Sequence, residues 1–342
     1  MHRGSGPFVR LLLAALLAGA GALLVLAGLT TIMRPAQSAG GSPGASAGAS
    51  IGGFPSAASS SATATASAAG SPTPIPAEVT LLGAGDIARC DGTGDEATAE
   101  MVAARDGIVF TLGDNAYENG SDADYRDCFG PSWGRFKDRI ALPVAGNHDY
   151  GTQDAAGYRD YFGDRAVRDG TTWYSEDVGS WHVVVLDSTC DAVEGGCGAD
   201  SPQVQWLRED LAASRAACTL ALFHHPRFSS GEHGSDTEVA PFWDALYEAG
   251  ADLVLNGHEH DYERFAPQDP QGRPDDARGI TQLIVGTGGT PLRNFHDPIA
   301  NSQVRASVSH GIVELRLRQT GWSWQFDATD GAFKDAGSGR CH

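Results

Sequence analysis

Acidic, amide and imidazole side chains stand directly after five short apolar runs of the sequence. In chain order these are Asp86, Asp114, Asn147-His148-Asp149, His224-His225 and His258-Glu259-His260. Ligand sites in layered α/β folds gather at the carboxyl ends of strands, so these side chains can converge on one point. Carboxylate, amide and imidazole donors suit hard or borderline metal ions. The pattern therefore predicts a site for a pair of metal ions.

Each segment taken alone also fits a purely structural role, with no part in catalysis or metal binding. A Gly-Asp pair after a strand is often only a turn, Gly146 to Asp149 could be a hydrogen-bonding loop, and His258 and His260 could be solvated loop side chains. Two residues apart, however, these histidines point to the same side of an extended chain. Because all the segments follow apolar runs in the same order, their conjunction favours a metal site.

The apolar runs predict the strands that must position these side chains. Runs at residues 79–82, 108–112, 183–186, 220–223 and 253–255 are typical of strands buried on both faces. Helical patterns lie between them at residues 95–105, 204–214 and 239–249. After residue 280 the sequence alternates between apolar and polar residues, which indicates a further antiparallel sheet. The layout is α/β or α+β with a central layered sheet.

The five segments resemble the signature of the calcineurin-like metallophosphoesterase superfamily over about residues 79–265. They read Gly85-Asp86-Ile87-Ala88, Gly113-Asp114-Asn115-Ala116-Tyr117, Gly146-Asn147-His148-Asp149, Phe223-His224-His225-Pro226 and Gly257-His258-Glu259-His260. The resemblance implies an α+β fold, a four-layer α/β/β/α sandwich with two central mixed sheets. Most members have a histidine ligand where this chain has Ala88, so one metal lacks a ligand unless another segment supplies it.

Tyr117 supplies that ligand if the chain is similar to the purple acid phosphatases, where a tyrosinate replaces the missing histidine. The resemblance then implies Fe(III) at the first metal site and Fe(II), Zn or Mn at the second. The first metal would be held by Asp86, Asp114, Tyr117 and His260, and the second by Asp114, Asn147, His224 and His258. His225 is the alternative to His224, although His224 directly follows the apolar run. A packed aromatic is the alternative role of Tyr117.

The resemblance also implies catalytic roles for His148 and His233, which match outer histidines that contact the phosphate or the leaving oxygen. Asp149 and Glu259 are expected to orient imidazoles. The implied activity is acid-phosphatase-like hydrolysis of small phosphate monoesters by a metal-bound hydroxide. Hydrolysis of phosphodiesters or nucleotides at the same metals is the alternative, and a non-catalytic surface binding module is a third class. Arg264 and Arg293 are predicted to form surface ion pairs, with contact to substrate as the alternative.

The charge is distributed unevenly along the 342 residues. The chain has a net charge of −19, but residues 1–77 contain three arginines and no acid, so the rest carries −22. An acidic domain excludes nucleic acid as a partner held by bulk electrostatics, because phosphate backbones bind to basic faces. It does not exclude a small anionic substrate.

Residues 1–77 predict a targeting segment followed by a linker. Residues 1–34 contain 23 uncharged residues between Arg10 and Arg34, which is long enough for a signal anchor with its N-terminus inside, or for a cleaved signal peptide. Residues 35–77 are Ala/Ser/Gly/Pro-rich and predict a disordered linker. Residues 78–342 would form one catalytic domain, extracellular or anchored to the outer face of the cytoplasmic membrane, with no other membrane contact.

All six cysteines lie in this last part, in a compartment where disulfides persist. Only one pair is predicted, Cys190 with Cys197, because a short Gly-rich loop joins them. Several free buried thiols are the alternative.

Overall fold

The computed structural model describes residues 76–342. Within them the strands are β1 (Glu78–Ala84), β2 (Ile108–Thr111), β3 (Ile140–Leu142), β4 (Tyr174–Val178), β5 (Trp181–Val185), β6 (Cys218–Leu222), β7 (Leu253–Asn256), β8 (Tyr262–Phe265), β9 (Thr281–Val285), β10 (Ser302–Ala306), β11 (Gly311–Arg318), β12 (Gly321–Ala328) and β13 (Lys334–Arg340). The α-helices are α1 (Gly94–Ala103), α2 (Asp122–Asp124), α3 (Ala156–Phe162), α4 (Pro202–Ala213) and α5 (Ala240–Glu248). The predicted apolar N-terminal segment and residues 35–75 of the predicted linker lie outside the described residues. No helix within residues 76–342 is long and apolar enough to span a bilayer.

Two mixed sheets form the centre of the fold. The first has the strand order β13-β12-β11-β1-β2-β3, and the second β10-β8-β9-β7-β6-β5-β4. In the second sheet β5, β6, β7 and β9 are parallel, so their carboxyl ends share one edge. β1, β2 and β3 are parallel in the first sheet. The α+β fold with two central mixed sheets is thus confirmed.

Alternate side chains of the central strands enter two different cores. On β5, Val183 and Val185 belong to the larger core, which also holds Leu81 and Val109 of the first sheet, whereas Val184 packs into a second core with helix side chains of α4 and α5. Side chains alternate between the faces of a strand. A strand covered on both faces therefore needs apolar residues at every position, which explains the continuous runs in the sequence.

The predicted strands after residue 280 are present, and β11, β12 and β13 pair antiparallel, but the prediction of a separate sheet is wrong because they extend the first sheet. β11 pairs antiparallel with β1, from Glu78 opposite Arg318 to Gly83 opposite Val313, and carries β12 and β13 into the first sheet. β9 instead enters the second sheet, parallel to β7. The free edge of β1 offers backbone donors and acceptors to a returning strand, and pairing satisfies them.

Candidate metal centre

Several of the acidic and imidazole residues that follow the strands have an unusual backbone conformation. Asp86, Asp114 and His258 have φ angles of 58°, 51° and 71°, just after the ends of β1, β2 and β7. Left-handed backbone is uncommon outside glycine, and such residues cluster at functional sites. Gly113, at φ 86°, passes so close that a Cβ would lie 2.5 Å from Nδ1 of His224. Only glycine allows this approach between the two sheets.

One group of donors surrounds the hydroxyl of Tyr117. This hydroxyl donates to Asp86 Oδ1 and Asp114 Oδ2 at 3.0 Å each, and it lies 3.3 Å from Nε2 of His260. His260 Nε2 is also 3.3 Å from Asp86 Oδ1. The hydroxyl of Tyr117 therefore contacts two carboxylates and an imidazole among the predicted ligands.

A second group shares Asp114 with the first. Nε2 of His224 lies 3.3 Å from Asp114 Oδ2 and 3.2 Å from Asn147 Oδ1. His258 packs its ring 5.1 Å from that of His224. Three histidines each place one ring nitrogen within 4.8 Å of the other two: His224, His225 and His258. The structure thus brings together all seven of the residues predicted as ligands, in two groups with Asp114 between them.

Two imidazoles have Nδ1 beside a backbone carbonyl, an arrangement that leaves Nε2 available to a metal ion. Nδ1 of His224 lies 2.7 Å from the carbonyl of Leu112, and Nδ1 of His260 lies 2.9 Å from the carbonyl of Pro291. A neutral imidazole that donates from Nδ1 to a carbonyl has its lone pair on Nε2. Both Nε2 atoms point to the carboxylates, so each could accept a cation.

The charges around these groups also favour a cation. Burial, reinforced by the charges of Asp114 and Asp86, raises the pKa of Tyr117 well above its usual value. Burial alone would raise the pKa of Asp114 as well, but neighbouring His224 and His148 hold it below its ordinary range. A cation bound beside the phenol would act in the opposite direction to these anions and lower the pKa of Tyr117. The buried, acceptor-rich donor set therefore fits a pair of metal ions.

His148 and His233 lie at the mouth of this centre. The ring of His148 packs on Tyr117 at 4.3 Å, its Nδ1 lies 2.7 Å from the carbonyl of Glu118, and its side chain is 26% exposed. The ring of His233 packs on His258 at 4.4 Å, with its side chain 40% exposed. Both are near the ligand candidates and open to solvent, as a residue that meets substrate must be.

His225 takes a different position from His224. Its backbone N–H donates to Oγ of Ser188 at 2.9 Å, and its Nδ1 lies 2.9 Å from the same oxygen. Burial and the charge of His224 lower the pKa of His225 to about 3. Ser188, just after β5, carried no sequence signal that could have marked it.

The carboxylates of Asp149 and Glu259 differ in whether they contact an imidazole. Asp149 does not orient an imidazole, contrary to the prediction: it accepts from Tyr125 at 2.6 Å, from Asn115 Nδ2 at 2.9 Å and from the Gly146 N–H at 2.9 Å, so it shapes the loop around Asn147. Glu259 fits the prediction, since its Oε2 lies 3.4 Å from Nδ1 of His233.

The glycine-rich residues 286–289 lead from β9 to the centre. The glycine-rich segment after β9 continues to Thr290, whose N–H donates to the carbonyl of Asp86 at 3.0 Å. Its Oγ1 lies 3.3 Å from Nδ1 of His260. Thr290 thus links β1 to His260, and no spacing in the sequence signals this role.

Comparison with known proteins agrees with this geometry. The family model of the calcineurin-like phosphoesterases matches residues 82–262. Purple acid phosphatase 21 of Arabidopsis thaliana is 27% identical over 74% of this chain and 60% of its own length, and purple acid phosphatase 18 of the same plant is 29% identical over 46% of this chain and 37% of its own. The aligned part of this chain therefore spans less than two thirds of these curated relatives.

A solved structure shares the fold. The purple acid phosphatase PPD1 from yellow lupin (Lupinus luteus) seeds superimposes with a TM-score of 0.62 and 18% sequence identity, covering 78% of this chain and 55% of its own. The chain belongs to the calcineurin-like phosphoesterase family, in its purple-acid-phosphatase-like branch.

Proposed function

We propose that this chain is an extracytoplasmic phosphohydrolase with two metal ions, and that its substrates are small phosphate monoesters. The observation that carries the proposal is the pair of donor groups that meet at Asp114. Family membership supports a metal-dependent phosphoesterase. When bound, such a pair of cations neutralises phosphoryl charge and supplies a nucleophile from water.

Each donor has a proposed place in this centre. Asp86, Tyr117 and His260 would hold one ion, for which we propose Fe(III), because a phenolate is a hard anionic donor. Asn147, His224 and His258 would hold the other, Fe(II), Zn or Mn, with Asp114 bridging the two ions.

The chain's own residues would orient the substrate and transfer protons. His148 and His233 lie on two sides of the donor groups, beside Tyr117 and His258 respectively. Each can donate a hydrogen bond to a phosphoryl oxygen or a proton to the leaving oxygen, a role worth about 10²- to 10⁴-fold in rate. Glu259 would hold the imidazole of His233 in place.

The domain organisation and location are part of the proposal. Residues 1–34 would direct or anchor the chain, residues 35–77 would be a linker, and residues 78–342 the catalytic domain. Three disulfides among the described residues support an oxidising compartment.

Metal analysis of the purified full chain, with its visible spectrum and hydrolysis rates, tests the proposal. We expect two metal ions per chain including iron, a visible band, and faster hydrolysis of phenyl phosphate than of bis(4-nitrophenyl) phosphate. Asp114→Ala should lose metals and activity together, whereas His148→Ala should lose turnover and keep its metals. A metal-free active enzyme would overturn the metal assignment, and a faster diester rate would overturn the monoester preference.

A further inference from the structure

Arg293, which follows the glycine-rich segment after β9, departs from the predicted surface ion pair. Arg264 does form one, 2.7 Å from Asp335. Among residues 76–342, by contrast, no carboxylate lies within 4.0 Å of the Arg293 guanidinium. A guanidinium stays charged at any physiological pH and presents a rigid fork of N–H donors. Arg293 therefore has a charge that the described part of the chain leaves without an anion.

The backbone holds Arg293 at the metal centre. Its N–H donates to the carbonyl of His260 at 3.0 Å, and the carbonyl of Pro291 accepts from Nδ1 of the same histidine. Further along, the N–H of His296 donates to the carbonyl of Ser230 at 2.9 Å. The loop that carries Arg293 is thus joined both to a proposed metal ligand and to the loop that carries His233.

The side chain of Arg293 lies across the imidazole of His233. Its Nη1 is 3.1 Å from Nδ1 and 3.0 Å from Nε2. Such nearly equal distances place the guanidinium over the ring and not in line with either lone pair. The same imidazole packs on His258 at 4.4 Å. Going outward from the donor groups, the order is therefore His258, His233 and Arg293.

The other charged groups near Arg293 do not neutralise it. Asp261, next in sequence to His260, does not lie within ion-pair distance of Arg293. Beside Tyr117 the situation differs, because Arg89 pairs with Asp91 at 3.0 Å and with Glu118 at 2.8 Å. Of these two arginines, the one without an anionic partner is therefore Arg293, on the His233 side of the centre.

We propose that Arg293, together with His233, binds a second anionic group of the substrate, next to the phosphoryl group that reacts. The substrate class is then an organic diphosphate, whose leaving group carries its own phosphoryl. Water adds to the terminal phosphorus, the bond from that phosphorus to the bridging oxygen breaks, and the bridging oxygen leaves with the inner phosphoryl while a proton is released to solvent or to that oxygen. The inference rests on the proposed function, and it makes Arg293 a specificity residue.

Paired kinetics on ADP and phenyl phosphate test this subsite. In Arg293→Gln we expect the ratio of kcat/KM for ADP to that for phenyl phosphate to fall at least about tenfold, chiefly through KM, since a charge-assisted bidentate contact is lost. Arg293→Lys keeps the charge without the fork and should fall in between. Arg215→Gln is the matched control, because exposed Arg215 precedes β6 at the edge opposite to the site; it should leave the ratio unchanged.

A binding measurement separates recognition from turnover. By calorimetry, the α,β-methylene analogue of ADP should bind the full-length protein at least about tenfold more weakly in Arg293→Gln, with the melting temperature unchanged. An equal loss for both substrates, or none for either, would overturn the subsite. Wild-type protein that hydrolyses neither compound would instead contradict the proposed function, so the two failures are distinguishable.

Discussion

The carboxylate of Asp114 is the point where the two donor groups meet, and the residues around it can be tested one by one. Its Oδ2 is 3.0 Å from the hydroxyl of Tyr117 and 3.3 Å from Nε2 of His224. Its Oδ1 accepts from the N–H of His148 at 2.8 Å. A residue whose side chain offers a ligand atom beside this carboxylate should affect metal binding, whereas His148, which contacts it through its backbone N–H, should not.

The neighbours His224 and His225 form a matched pair for this test. His224→Gln should reduce the metal content by about one ion per chain, because its Nε2 faces Asp114 and Asn147. His225→Gln should keep both ions, because Ser188 holds its Nδ1. Elemental analysis of both variants after equal dialysis measures this. Loss of metal only from His225→Gln would reverse the assignment.

Tyr117→Phe tests the proposed tyrosinate. Removal of one oxygen should abolish the visible band of the iron-loaded protein while the fold is kept, since the ring still packs between His148 and His260. Absorption spectra at equal iron content are the measurement. A band that survives the substitution rules out Tyr117 as its source.

At the scale of elements, a buried histidine joins the β4–β5 hairpin to α4. Nε2 of His182 on β5 lies 2.7 Å from Asp210 of α4, and its Nδ1 lies 3.2 Å from Asp177 of β4. Burial alone would lower the pKa of His182, but the carboxylates of Asp210 and Asp177 outweigh it and raise the pKa above the ordinary 6.5. The charged imidazole therefore links three elements.

The contribution of His182 should depend on pH. Because its pKa is raised in the folded state, this stabilisation is complete below about pH 6.5 and is lost as the pH rises through the raised value. His182→Gln should cost about 1.5 to 3 kcal/mol at pH 6, the range for hydrogen bonds to charged groups, and less at pH 9. Urea unfolding at both pH values measures it, with exposed His296→Gln as control. An equal cost at both pH values would contradict the charged state.

At the scale of the whole described domain, the disulfides differ in the length of chain that they close. Cys218–Cys341 joins residues 123 apart and fixes the C-terminus beside the start of β6, whereas Cys190–Cys197 joins residues 7 apart. Cys90–Cys128 is intermediate at 38. The predicted pair is confirmed, and no cysteine of the described domain is free.

Loop length predicts the cost of removing each bond. The double variant Cys218→Ala/Cys341→Ala should lose about 4 to 5 kcal/mol of unfolding free energy, and Cys190→Ala/Cys197→Ala about 2 to 3, because a longer loop restricts the unfolded chain more. Non-reducing guanidinium titrations compare the two. A larger loss from the short loop would show that local contacts outweigh chain entropy.

Much of the centre was predictable because its parts are local in sequence. A donor that follows a buried apolar run must lie at a strand end, so the residue types and order of Asp86, Asp114 and His258 already indicated the site. Ala88 and Tyr117 could be related to each other by family resemblance alone. The strands buried on both faces could likewise be recognised from their continuous apolar runs.

The sequence by itself determined which donors exist and predicted that they follow strand ends that can converge on one point. Only the tertiary structure decided that β11 pairs with β1, that Cys218 bonds Cys341, that Ser188 holds His225 and that Arg293 lies over His233. These depend on contacts between residues far apart in the chain, where spacing carries no signal. The reason is physical: a strand edge, a thiol or a guanidinium has many partners of suitable chemistry, and the packing of the two sheets selects one of them.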